Sequence, residues 1–97
     1  MKSALVTGGS SGIGLAIARG LREDGYALTL AARKVERLDD AALELEAHAV
    51  QADVTTEEDC VRVVAEHVER HGGMDVLVNS AGAVSYTHLT LPTILRV

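Results

Sequence analysis

Gly8, Gly9, Gly12 and Gly14 stand within seven residues, directly after the short apolar run Ser3–Thr7 and directly before a segment of helical period. Few folds place glycines this way. Without a Cβ the backbone can turn tightly and let a ligand approach, and the helix that follows offers unpaired N–H groups to an anion. In that helix Ile13, Ile17 and Leu21 recur four residues apart with Ala16 beside them. Arg19, Arg22 and Glu23 fall elsewhere, so one apolar stripe is expected, with Gly25 as its C-terminal stop. Strand, glycine turn and helix together predict a pyrophosphate site.

The same alternation continues along the chain. Residues 26–32 read as a second strand, and 35–47 as a helix with Val35, Leu38, Ala42 and Leu45 on one face. Residues 48–54 supply a third strand. Thr55 and Glu58 then resemble the N-cap and N3 of a capping box, opening a helix that carries Val61, Val64, Ala65 and Val68 inward until Gly72-Gly73. The fourth strand, 74–78, is almost continuously apolar, as a parallel strand covered on both faces must be. Order and spacing predict an α/β fold with right-handed crossovers and a parallel sheet.

Composition narrows the function. Hydrophobic residues make up 47% of the 97-residue chain and charged residues 24%, which is globular, and with no Trp or Phe the core must be aliphatic. Doubly wound nucleotide folds usually need more chain than this to close their sheet. A net charge of -5 disfavours nucleic acid or an anionic membrane as partner and favours a small molecule. The single cysteine, Cys60, cannot form an internal disulfide, and the N-terminal apolar run is too short for a signal or membrane segment, so the expected compartment is the cytoplasm.

Spacing separates the phosphate-binding patterns. Gly9 to Gly14 has the glycine interval of a P-loop, but Leu15-Ala16 stands where that loop needs Lys and Ser or Thr. A G-x-G-x-x-G pattern begun at Gly12 finds Ile17 in its third place. What fits is Thr7-Gly8-x-x-x-Gly12-Ile13-Gly14, with Ser10 and Ser11 inside it, which resembles the signature of the short-chain dehydrogenase/reductase family. Asp53-Val54 after the third strand resembles that family's adenine-binding pair. Asn79-Ser80-Ala81-Gly82 after the fourth resembles its Asn-Asn-Ala-Gly motif, with Ser in the second place. Alone, Asp53 could cap a strand end and Asn79 could be a turn residue; in order, each motif falls at the C-terminal end of a strand, where open α/β sheets bind ligands.

The resemblance covers 1–83 and implies the first half of an NAD(P)-binding Rossmann-type doubly wound domain, interrupted after the fourth strand. It implies an oxidoreductase that interconverts a carbonyl and an alcohol by hydride transfer, acts on a small molecule, and forms a homo-oligomer when whole. The cofactor-binding residues it assigns are Thr7, Gly8, Ser10, Ser11, Gly12, Ile13, Gly14, Asp53, Val54, Asn79, Ala81 and Gly82. Arg33 joins them on chemistry. The second strand ends Leu30-Ala31-Ala32-Arg33-Lys34, with no carboxylate to hold a ribose 2′-hydroxyl and a guanidinium suited to a 2′-phosphate. NADP is therefore favoured over NAD, against the alternative that Arg33 and Lys34 merely begin a solvated helix.

The family's catalytic Tyr-x-x-x-Lys pair has no match, because Tyr86 is followed four residues later by Thr90. No catalytic residue and no metal ligand is assigned. Residues 84–97 match nothing expected of the family at this point and resemble the translation of a transposase-type sequencing adapter. With Pro92 and scattered polar residues, this tail is not expected to supply a strand, which would leave the fourth strand as an apolar edge. Two rival readings stand beside the enzyme: a non-catalytic dinucleotide-binding module, and a methyltransferase-type nucleotide fold, disfavoured by Ala32-Arg33 where such folds carry an acid.

Overall fold

The computed structural model describes residues 1–9 and 12–80 and the backbone of 94–96. Its elements are β1 (Ser3–Thr7), α1 (Gly12–Glu23), β2 (Ala27–Ala32), α2 (Val35–Leu45), β3 (His48–Gln51), α3 (Glu57–His71), β4 (Val76–Asn79) and β5 (Ile94–Arg96). All strand pairs are parallel, in the order β3-β2-β1-β4-β5. The central strand β1 is buried at every residue, which is why it reads as an unbroken run.

Alternate residues of the strands build two cores. Ala4, Val6, Leu28, Leu30 and Val78 pack against Ala18 of α1 and against Leu38, Ala41, Ala42 and Leu45 of α2. On the other face Leu5, Ala31 and Leu77 meet Cys60 and Val63 of α3. The four expected strands and three intervening helices are thus present in a Rossmann-type arrangement. Gly25, at φ 90°, ends α1 as expected: its N–H reaches the Arg22 carbonyl at 3.0 Å while the N–H of Tyr26 reaches that of Leu21 at 3.0 Å.

Several details differ from the sequence expectation. Ile13 is 64% exposed and Ala16 is exposed, so the face of α1 that meets the sheet runs through Gly14 and Ala18, whose small side chains allow close approach. In α3 the buried positions are Cys60, Val63 and His67, leaving Val61, Ala65 and Val68 exposed and Val64 half-buried. The cap also moves by one residue. Thr55 donates both its N–H and its hydroxyl to Asp53 Oδ1, at 3.1 and 2.6 Å, so Thr56 becomes the N-cap and accepts from the Asp59 N–H at 3.3 Å.

The apolar edge expected at β4 is not left open. Ile94–Arg96 pairs with Leu77–Asn79 in parallel, through Leu77↔Ile94 and Val78↔Leu95. Pro92 precedes these residues in sequence and so removes no donor from the ladder. The rest of the 84–97 tail lies outside the described residues. Among the described residues, no helix is long and apolar enough to cross a membrane.

A buried polar layer, unanticipated from the sequence, ties α3 beneath the N-terminal half of the sheet. His67 is wholly buried, with Nδ1 2.7 Å from Thr29 Oγ1 and Nε2 3.0 Å from Ser3 Oγ. Ser3 Oγ donates to the Gly73 carbonyl at 2.9 Å, so it must accept from His67 Nε2–H. Nδ1 then accepts from the Thr29 hydroxyl, whose oxygen in turn lies 3.2 Å from His71 Nε2. Every member finds a partner when His67 is neutral. Burial, seconded by the charges of His71 and His48 and opposed by Asp75, holds its pKa down at about 4.

Candidate functional site

Parallel strands with crossover helices bring the C-terminal ends of β1, β2 and β3 to one rim, and a cavity of about 520 Å³ opens there. Its wall takes Gly8 from the turn after β1, Arg33 and Lys34 from the end of β2, and Asp53, Val54 and Thr55 from the turn after β3. Four residues singled out in the sequence, Gly8, Arg33, Asp53 and Val54, are therefore brought together. Ser10, Ser11, Ala81 and Gly82 lie outside the described residues.

The glycine turn is held from both sides. Gly8 sits at φ 71° and donates its N–H to the Ala31 carbonyl at 2.8 Å, while Gly12 opens α1 at φ 60°. A side chain is strained at either position. Gly14 needs to be glycine for another reason: a Cβ there would overlap the Gly8 carbonyl oxygen and Ser80 Oγ. The first turn of α1 thus lies directly on the backbone that the turn presents.

Thr7 is buried beneath this turn and links it to β4. Its hydroxyl lies 3.1 Å from Asn79 Oδ1 and 3.3 Å from the Val78 carbonyl. The Ser80 N–H and hydroxyl both donate to the Thr7 carbonyl, at 3.1 and 2.6 Å. Serine in the second place of the β4 motif therefore fills that place with a bond of its own. Thr7, Gly12, Ile13, Gly14 and Asn79 do not line the cavity.

Asp53 is fixed as a carboxylate. The Thr55 hydroxyl, then the Thr55 N–H and the charge of Arg33, hold its pKa below the usual range. Its own N–H donates to Asp59 Oδ2 at 2.7 Å, and Gln51 Nε2 donates to the Arg33 carbonyl at 2.9 Å, which joins the ends of β2 and β3. The N-cap of α2 is Lys34, which makes no side-chain cap bond, so the first N–H groups of α2 face the rim without a capping oxygen. Glu36 and Arg37, both on the first turn of α2, also line the cavity and were not singled out in the sequence. The available signal was the cluster of basic residues Arg33, Lys34 and Arg37 about the start of the second helix.

The arrangement suits a ligand with an anionic end and a flat or sugar-like body. Backbone N–H groups and a guanidinium are suited to an anion, and the Asp53–Val54 wall offers a surface beside it. The sequence profile of the short chain dehydrogenase family matches residues 2–94. The chain is 43% identical over 94 residues to farnesol dehydrogenase of Aedes aegypti, covering 91% of this chain and 38% of that one. Among solved structures, L-sorbose reductase from Gluconobacter frateurii, complexed with NADPH and L-sorbose, superposes with a TM-score of 0.80 at 44% identity. That match covers 87% of this chain and 34% of the reductase. Alcohol dehydrogenase from Thermococcus sibiricus, complexed with 5-hydroxy-NADP, gives 0.76 at 44% identity, with coverage of 80% and 36%. The chain spans little more than a third of the length of the curated relative.

Proposed function

The chain belongs to the short chain dehydrogenase family, and from that premise we propose that it forms the cofactor-holding part of an NADP-preferring oxidoreductase that interconverts a carbonyl and an alcohol. The observation that carries this reading is the single wall formed by Gly8, Arg33, Asp53 and Val54 at the C-terminal ends of three parallel strands. The residues present fit such a cofactor. Gly8 lines the cavity at φ 71° with no Cβ in the way of a ligand, and the rim carries cations that can pair with an anion. When bound, the nicotinamide supplies or accepts the hydride.

In this reading the turn from Thr7 to Gly14 holds the pyrophosphate, with Ser10 and Ser11 contributing to it. Asp53 and Val54 hold the adenine, and Asn79, Ala81 and Gly82 border the nicotinamide side. Arg33 would hold the ribose 2′-phosphate through charge-assisted hydrogen bonds, and the start of α2, where Lys34 makes no side-chain cap bond, would add positive potential. Arg33→Asp is expected to lower the ratio of NADP to NAD affinity at least tenfold, roughly 1.4 kcal/mol. Titration calorimetry with both cofactors checks this, and an unmoved ratio would remove Arg33 from the site.

Neither Tyr26 nor Tyr86 is followed by Lys at the fourth position, so the chain itself carries no proton-transfer pair of the family's kind. It is expected to bind cofactor without turning over aldehydes, ketones or alcohols. A cofactor-linked absorbance assay with purified chain tests this, and sustained turnover would refute it.

A further inference from the structure

Three arginines outside the cavity are held by carboxylates, Arg19 by Glu44 at 2.7 Å, Arg22 by Glu46 at 3.0 Å and Arg62 by Glu66 at 3.1 Å, while Arg70 forms no ion pair with a described residue. Arg33, Lys34 and Arg37 line the cavity, and none forms an ion pair with a described residue. Of the two carboxylates in the same wall, Asp53 accepts from Thr55 and interacts with the charge of Arg33, and Glu36 adjoins Arg37 on the first turn of α2. Three cations against two carboxylates leave the wall with one positive charge in excess.

A phosphate monoester on a ribose carries close to two negative charges at neutral pH, more than one guanidinium balances. We propose that Arg37 is a second specificity-determining cation for the 2′-phosphate, acting beside Arg33, and that Glu36 limits the preference by repelling the same group. This rests on the reading of the cavity as the 2′-phosphate end of the dinucleotide site. Arg37 is solvent-exposed, so its contribution is screened and smaller than that of a buried pair. It acts on the phosphorylated cofactor alone, because NAD offers no charge at this position. Its place on the first turn of α2, a helix held against the core by Leu38, Ala41 and Leu45, sets where the guanidinium emerges beside the end of β2.

The test is isothermal titration of the full chain with NADP and with NAD, comparing Arg33→Gln, Arg37→Gln, Arg37→Lys and Glu36→Gln, each checked for folding by circular dichroism. Arg37→Gln is expected to weaken NADP binding about fivefold to tenfold and to leave NAD within twofold. Arg37→Lys should fall between, and Glu36→Gln should strengthen NADP binding a few-fold with NAD unchanged. If Arg37→Gln left NADP affinity intact, or weakened both cofactors equally, while Arg33→Gln still weakened NADP selectively, the assignment of Arg37 would be overturned and the site reading would stand. If Arg33→Gln also left the ratio unmoved, the site reading would fall and take this assignment with it.

Discussion

Gly14→Ala is expected to abolish detectable cofactor binding and to destabilise the chain by about 3 kcal/mol, the upper end of the range for overpacking. Helix propensity alone predicts the opposite sign, since alanine in a helix interior is favoured over glycine by about 1 kcal/mol. Sterics win because the new methyl would overlap backbone. It would meet the Gly8 carbonyl oxygen, with the Gly8 carbonyl carbon 2.9 Å away, and Gly8 is pinned by its N–H bond to Ala31. Ser80 could swing aside only by giving up its 2.6 Å bond to Thr7. Either α1 lifts from the sheet or the turn is pushed out of shape, and both remove the phosphate seat. Gly20→Ala is the control: a Cβ there meets nothing within 4 Å, so it should stabilise by about 0.5–1 kcal/mol. Urea unfolding with NADPH fluorescence titration reads both effects. A Gly14→Ala chain as stable as its parent, with unchanged affinity, would show that the turn relaxes freely.

The second large effect is on acid stability. His67 titrates near 6.5 when unfolded and is held at about 4 in the folded chain, so as pH falls below 6.5 the unfolded state takes up a proton first. The stabilisation is complete above pH 6.5 and is lost as pH falls through 4. At about 1.4 kcal/mol per unit this amounts to roughly 2 kcal/mol by pH 5 and roughly 3 by pH 4. Against the roughly 5–15 kcal/mol typical of folded domains, that is a substantial fraction. His71, also lowered chiefly by burial, adds in the same direction. Urea unfolding at pH 7.5 to 4.5 should show the slope in the parent chain. His67→Gln keeps an amide donor and acceptor but cannot titrate, and should flatten most of it. A parent stability that is level from pH 7 to 5 would contradict the buried neutral imidazole.

The sheet was legible because its signals are local. The continuous runs of β1 and β4, the αL glycine after α1 and the strand-end motifs each depend on neighbours in sequence. Helix faces were less legible. A stripe through Ile13 or Val61 looks as apolar as the true one, and close packing of Gly14 and Ala18 against the sheet is what selects the rotation of α1. The α3 face was hidden for a different reason: it buries a histidine, which reads as polar until Ser3 and Thr29, 64 and 38 residues away, are brought to its two nitrogens. Likewise Asp53 read as a ligand contact or a strand cap, and its capture of Thr55 displaced the α3 cap by one residue. β5 escaped because a three-residue ladder is decided by the partner edge rather than by its own composition.

The bonds from Thr7 to Asn79 and from Ser80 to Thr7 join the ends of the adjacent strands β1 and β4. Their relative placement is set by the fold itself. Ordering entropy that a binding partner would otherwise have to overcome has already been lost in folding. The two strand ends thus keep a spacing set in folding, and substitutions at Thr7 or Ser80 are expected to change that spacing.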